Sequence, residues 1–236
     1  MLNPVKGKMY SFVTHTWNTV KGKCPHNCNY CYMKKWGKQP KLHFDESELK
    51  TDLGSDHFIF VGSSCDMWAW DIPAEWILKT LNHCCKFERN RWLFQSKNPN
   101  RFTDFYGYYP KINELGDSII FGTTIETNRE KYINKDAPAI VDRYCGIHTV
   151  GKEDGCRTMV TIEPIMDFDL KEMVEIISDI EPEWVNIGAN TNYSVQLREP
   201  DPGKIRKLIS ALKELTEVKI KKNLKRLVAK REDVYR

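Results

Sequence analysis

Apolar positions along the chain alternate between two spacings. Short runs rich in β-branched and aromatic residues at 10–16, 57–61, 91–96, 117–125, 157–163 and 183–187 read as six strands, and 218–220 adds a short further run. Between them, apolar residues recur three and four apart. Trp76, Ile77, Thr80, Leu81 and Cys84 predict a helix over 73–87, opened by Pro73. Leu170, Met173, Val174 and Ile177 predict one over 169–180, and Ile205, Leu208, Ile209, Leu212 and Leu215 one over 203–216. Shorter helices are expected at 44–53 and at 136–144, the latter started by Asp136-Ala-Pro, with a basic helix closing the chain. Strands with continuous apolar runs, such as Ile119-Ile120-Phe121, are buried on both faces and belong to a parallel sheet. Strands alternating with helices imply right-handed β/α units. No glycine fingerprint follows the first strand, which removes the main support for a dinucleotide-binding sheet. The expected fold is α/β: a partial (β/α)6 TIM-like barrel with a C-terminal helical extension, as one domain over residues 1–236.

Composition changes this picture little. With 41% hydrophobic and 29% charged residues, the 236-residue chain can bury one good core. No apolar run approaches the ~18 residues of a membrane span, and the start, MLNPVKGKMY, has no apolar leader region. A cytoplasmic protein without a membrane partner is expected. Charge is more informative once located. Residues 219–236 hold eight Lys or Arg and two acids, a net of +6 out of the total +4, which leaves −2 for residues 1–218. On this division the basicity is a tail property and nucleic acid is not a favoured partner. Ile220, Leu224, Leu227 and Val228 fall at helical spacing, so the first part of the tail is expected to pack on the barrel.

The chemistry is concentrated in KCPHNCNYCYMKKW, where Cys24, Cys28 and Cys31 form Cys-x3-Cys-x2-Cys. That spacing lets one loop aim three thiolates at one place. Soft sulfur donors suit zinc or an iron–sulfur cluster. His26 or His15 could close a Cys3His zinc site, so a zinc-stabilised binding module or an iron–sulfur electron carrier stands as the non-catalytic alternative. The remaining cysteines look less like ligands. Cys84 and Cys85 adjoin on a predicted helix, so their side chains diverge, and Cys145 and Cys156 have ten residues between them. Buried thiols account for these four.

Tyr30, directly before the third cysteine, makes the motif resemble the Cys-x3-Cys-x-aromatic-Cys signature of the radical S-adenosylmethionine enzymes. The segments FVGSSCDMW, WLFQSKNPNRF, FGTTIETN, TIEPIMDFDL and WVNIGANT, in this order, further resemble the strand ends of the phage Gp37/Gp68-like branch of that superfamily. The branch pattern of Thr-Lys-Arg-Pro after strand three reads Ser96-Lys97-Asn98-Pro99 here, and Gly-Gly-Glu after strand six reads Gly188-Ala189-Asn190, so one mouth carboxylate is lost. The resemblance implies a 4Fe-4S cluster on Cys24, Cys28 and Cys31, with S-adenosylmethionine chelating the fourth iron. It also implies an external one-electron donor of flavodoxin or ferredoxin type, and hydrogen abstraction from an unidentified substrate. By position it makes Tyr30 an adenine contact and brings Ser63 and Ser64 near the methionine amino group. Thr124 and Glu126 follow strand four as ribose or carboxylate contacts, and Glu163 and Asn190 end strands five and six. Lys97 is a candidate for a carboxylate or phosphate. Trp68, Trp70, Phe105, Tyr106, Tyr108 and Tyr109 flank the presumed mouth, as a stacking surface or as packing. Cys65, directly after Ser64, is the candidate catalytic thiol, its S–H bond weak enough to quench a carbon radical.

Overall fold

In the computed structural model, which describes residues 1–7, 9–105 and 118–229, one eight-stranded sheet carries the fold. Its order is β1 (Asn3–Pro4), β2 (His15–Trp17), β5 (Phe58–Val61), β6 (Arg91–Ser96), β7 (Ile119–Thr124), β8 (Thr158–Ile162), β9 (Trp184–Ile187) and β10 (Glu217–Ile220). All neighbours from β2 to β10 are parallel, and β1 adds an antiparallel edge. A separate ribbon pairs β3 (Val20–Lys21) with β4 (His43–Phe44), so it clasps the two ends of the cysteine loop. The run at 218–220 is therefore a seventh parallel strand, and the partial TIM-like barrel is as expected.

Strand alternation divides the core. Trp92 and Phe94, with Ile59, Val61, Val160, Ile162, Val185 and Ile187, point to the helices. They meet α1 (Ala74–Cys84) through Ile77 and Leu81, α3 (Ile140–His148) through Ile147, α4 (Leu170–Ile180) through Met173 and Ile177, and α5 (Pro202–Lys213) through Leu208 and Leu212. The short α2 (Asn100–Thr103) lies between α1 and α3 in sequence. Each fully buried Leu, Ile or Met is worth about 1.5–3 kcal/mol, so the helices are held by these faces. Asp201 caps α5 by accepting from Lys204 N at 2.9 Å, with Pro202 in its first turn.

The opposite faces, Phe58, Phe60, Leu93, Ile120, Met159 and Trp184, point into the barrel. The expected first strand fares differently from the others. Only His15–Trp17 pairs, while Tyr10 and Val13 turn into the barrel and join this inner cluster, with Phe12 packed against it. Phe12 sits 5.3 Å from Phe58 and 5.1 Å from Trp184, ring to ring. The aromatic run is a plug filling the interior of an open barrel, a use that its strand-like composition does not distinguish.

Two other boundaries move. The helix expected at 136–144 begins at Ile140, because Asp136 accepts from Asn27 Nδ2 at 3.1 Å instead of capping. At the end of the chain, Ile220 closes β10 and is 47% exposed; the packing role falls to Leu224, and to Leu227 and Val228 in the one-turn α6 (Lys225–Val228). The rest of the basic tail, from 230, lies outside the described residues, as do Tyr106, Tyr108 and Tyr109.

Candidate functional site

Parallel strands bring all their C-terminal ends to one rim, where barrels carry their chemistry. The register keeps these ends level: Trp17 pairs with Val61, Ser96 with Thr123, Thr124 with Thr161, and Ile162 with Ile187. At this rim opens a cavity of ≈ 540 Å³. Cys24, Cys28, Cys31 and Tyr30 line it from the loop after β2 and β3, Ser63, Ser64 and Cys65 from β5, and Lys97 from β6. Thr124 follows from β7, Glu163 from β8, Asn190 from β9 and Lys221 from β10.

The cysteine loop is braced from several strand ends. Asn134 donates to the carbonyls of His26 (3.0 Å) and Asn27 (2.7 Å), and Asn192 to that of Cys31 (3.3 Å). Tyr32 donates through its hydroxyl to Ser63 O at 2.7 Å. Asn27 adopts φ 45°, a left-handed turn that asparagine tolerates, which bends the loop between the first two cysteines. His26, nearly fully buried, donates through Nε2 to Asp66 Oδ2 at 2.8 Å. Asp66 also accepts from Ser96 Oγ, Lys97 N and Trp68 N at 2.9, 2.9 and 3.0 Å. Burial opposes ionisation of Asp66, but the charge of His26 and these hydrogen bonds outweigh it and hold the carboxyl below its usual range. Asp66 was not legible as a site residue; its place directly after Cys65 was the available signal.

Cys65 is 2% exposed and lies beside Cys24, so the two thiols titrate against each other. The neighbouring Cys65 thiol favours the Cys24 thiolate and lowers Cys24, while Cys24 and burial push Cys65 up. Burial raises Cys28 to about 11 and also raises Cys31. Among the described residues no three His, Cys, Asp or Glu side chains converge on one point as ligands of a single ion do. The three loop thiols instead share one cavity wall. An all-sulfur set on a wall that opens on free volume suits an iron–sulfur cluster, which Cys24, Cys28 and Cys31 would hold once the buried thiols release their protons.

Glu126 departs from its expected place. It is fully buried and does not line the cavity. One carboxylate oxygen accepts from the Tyr30 hydroxyl and from Lys97 Nζ, the other from Arg143 Nη1 at 2.6 Å. Burial works against its charge, yet Arg143 and Lys97 prevail and lower the carboxyl to about 2. Arg143, on α3, is likewise fully buried and ties the same network to Thr124 O at 3.1 Å. Glu126 thus holds Tyr30, and nothing in the local sequence marks Arg143 as its partner.

The other expected contacts are at the wall with different freedom. Ser63 Oγ and Ser64 N both donate to Asn18 Oδ1, at 3.2 and 2.9 Å. Thr124 Oγ1 accepts from Gln95 at 3.2 Å. Glu163 accepts from Lys221 (2.7 Å) and Asn223 (3.0 Å). Asn190 spends its amide on its own loop, donating to Asn192 O and Val195 O, both at 2.9 Å. Among the described residues, the aromatic residues at the mouth are not those expected. Trp68 and Phe105 are buried in the outer core and Trp70 is 65% exposed, away from the cavity, whereas Tyr10, Tyr30, Tyr32, Trp36 and Phe60 line it. Of the cysteines expected to be buried, Cys84 is, Cys85 and Cys156 are half-buried, and Cys145 is exposed on α3.

No protein-family model matches the chain, and no curated protein sequence matches it significantly. Solved structures do share its fold. Spore photoproduct lyase, in a variant with bound AdoMet and a dinucleoside spore photoproduct, superposes with TM-score 0.63 at 10% identity, over 91% of this chain and 78% of that one. SuiB of Streptococcus suis bound to S-adenosylmethionine superposes with TM-score 0.56 at 11% identity, over 87% of this chain and 49% of that one.

Proposed function

We propose that this chain is a radical S-adenosylmethionine enzyme, of the phage Gp37/Gp68-like branch, in which Cys24, Cys28 and Cys31 hold a 4Fe-4S cluster and S-adenosylmethionine lies in the cavity. The observation that carries this reading is the placement of three thiols on the wall of one strand-end cavity. It is supported by a fold shared with two radical S-adenosylmethionine enzymes, both of them seen with that cofactor bound. When bound and reduced by a flavodoxin- or ferredoxin-type donor, the cluster supplies the electron that cleaves S-adenosylmethionine to the radical that abstracts hydrogen from substrate.

The chain's own residues bind and aim. Tyr30, pinned by Glu126, offers a fixed ring and backbone to adenine. Ser63 and Ser64, positioned by Asn18, present oxygens to the methionine amino group. Thr124 accepts from Gln95 and keeps its own hydroxyl hydrogen for a ribose or carboxylate oxygen. Glu163 faces the cavity as an acceptor, and Asn190 shapes the wall beside it. Cys65 is the proposed hydrogen-atom donor to a product radical. No helix among the described residues is long and apolar enough to cross a membrane.

Anaerobic reconstitution tests the proposal. Protein rebuilt with iron and sulfide and reduced with dithionite should hold four irons and convert S-adenosylmethionine to 5′-deoxyadenosine. Four irons without 5′-deoxyadenosine would make it an electron carrier, and stoichiometric zinc without iron a binding module.

A further inference from the structure

Dividing the charge at residue 218 hides its real distribution. Residues 1–44 contain eight lysines and neither Asp nor Glu, a net of +8, so residues 45–218 carry −10. The structure concentrates the positive part around the cavity mouth. Lys23, Lys34, Lys35, Lys38 and Lys41 are exposed on the cysteine loop, and Lys6 and Lys35 reach the cavity rim. Lys34 donates to Asn27 O at 3.1 Å, and among the described residues none of these six pairs with a carboxylate. Lys21 is the exception within the segment, neutralised by Asp45 and Glu48 at 2.7 and 2.6 Å.

Asp136, exposed and hydrogen-bonded to Asn27 of the cysteine loop, sets one carboxylate against these six lysines, and other acids near the mouth are paired. Asp66 is taken by His26, and Glu163 by Lys221. Glu199 is paired with Arg226. Interleaved with the lysines are large exposed rings: Trp36 is 77% exposed, Tyr32 41% and Tyr193 67%, with Lys35 Nζ 5.4 Å from the Tyr193 ring centre. An indole left that open at a cavity rim forgoes burial that a Trp side chain normally obtains. Lysines that track phosphates, with rings on which bases stack, are how proteins hold single-stranded nucleic acid.

We propose that the rim formed by Tyr32, Lys34, Lys35, Trp36 and Lys38, facing Tyr193, is a docking surface for single-stranded nucleic acid. Phosphates lie against the lysines, a base stacks on Trp36, and the neighbouring nucleotide reaches the cavity. That this nucleotide is the substrate rests on the proposed radical chemistry; the docking does not.

Binding is therefore measured separately from turnover, by fluorescence anisotropy of labelled single-stranded DNA and RNA oligonucleotides with the reconstituted protein over a range of salt. The logarithm of the binding constant should fall linearly with log salt, with a slope of about −0.7 per phosphate contacted, near −2 for three contacts. K34Q/K35Q/K38Q should flatten that slope. W36A should weaken binding about 5- to 150-fold, as loss of one stacked base does, and leave the slope unchanged. Iron content reports whether the loop still folds in each variant. Absent or salt-independent binding overturns the proposal, as does W36A binding the oligonucleotides as well as the parent protein. If polyglutamate binds as tightly as the oligonucleotides, the surface docks an acidic protein, and the proposal fails. Oligonucleotide binding that survives while 5′-deoxyadenosine never forms keeps the docking surface and removes only the enzymatic reading.

Discussion

Glu126→Gln isolates the buried charge beneath the cysteine loop. The change keeps side-chain volume and some hydrogen bonding but removes the only anion facing Arg143 and Lys97 among the described residues, in a place where Glu126 and Arg143 are both fully buried. The carboxyl is lowered from its ordinary 4.5 to about 2, which at 1.36 kcal/mol per pH unit corresponds to roughly 3 kcal/mol of folding free energy. Breaking one partner of a buried pair costs about 3–5 kcal/mol in general, so the two routes agree. For a chain of this size, each kcal/mol moves the melting temperature by about 2–4 °C, so Glu126→Gln should melt roughly 6–20 °C lower at neutral pH.

The pH dependence is the sharper readout. Because the folded carboxyl has the lower pKa, its stabilisation is complete above the unfolded value of 4.5 and is lost as pH falls toward about 2. The gap between parent and variant, measured by urea denaturation across that window, should be constant above 4.5 and close below it. A double-mutant cycle with Arg143→Met should be strongly non-additive, since the second change removes the cation that the first leaves uncompensated. A neutral-pH gap under about 1 kcal/mol, or one that does not narrow on acidification, would refute the account, because only a charge buried against charges behaves this way.

Replacing Cys24, Cys28 or Cys31 with Ala should abolish iron retention and S-adenosylmethionine cleavage, whereas Ala at Cys84, Cys85, Cys145 or Cys156 should leave iron content near that of the parent; loss of about four irons from one of the latter would require a second cluster. Cys65→Ser should retain four irons and still form 5′-deoxyadenosine while product yield falls; loss of iron would make Cys65 a fourth ligand, and unchanged product would end its role as hydrogen donor. Gly188→Ala should weaken S-adenosylmethionine binding in calorimetry, because a Cβ there would stand 2.6 Å from Glu163 Cδ and force that carboxylate off Lys221; unchanged affinity would mean that Glu163 does not contact the cofactor.

Much of the fold was legible because parallel strands buried on both faces announce themselves. The strand at 91–96 was expected with the bounds it has, and those at 57–61, 157–163 and 183–187 within one residue at each end. The run from Tyr10 to Val13 was not, since a plug inside an open barrel and a strand draw on the same aromatic and β-branched residues. The thiols were legible from spacing, and the strand-end residues from the loops that follow each apolar run. Partners far apart in sequence were not. Glu126 gives no sign that Tyr30, 96 residues away, and Arg143, 17 residues away, will consume its oxygens. Nor does Asp66 signal that His26, 40 residues back, will face it. Each carboxylate looks equally available in one dimension, and only the tertiary fold decides which remain open to a ligand.

That distinction sets the character of the cavity. Three carboxylates stand at or behind its wall, and each is matched by a cation: Asp66 by His26, Glu163 by Lys221, Glu126 by Lys97 and Arg143 together. After β9, Asn190 adds no charge, its amide being committed to its own loop. The uncompensated charges facing the opening are then lysines, Lys6 and Lys35 at the rim and the loop lysines beyond them. A cation entering this mouth would meet repulsion over a Debye length of about 8–10 Å, and an anion would be drawn in over the same distance. If S-adenosylmethionine binds here as proposed, its sulfonium and ammonium groups gain nothing from this field, and its affinity would come from direct contacts such as those proposed at Ser63 and Ser64, while its carboxylate and any phosphate-bearing substrate would gain from the field. Raising salt should therefore weaken association of an anionic substrate far more than that of S-adenosylmethionine. Equal salt sensitivity of the two would show that the lysines do not govern entry.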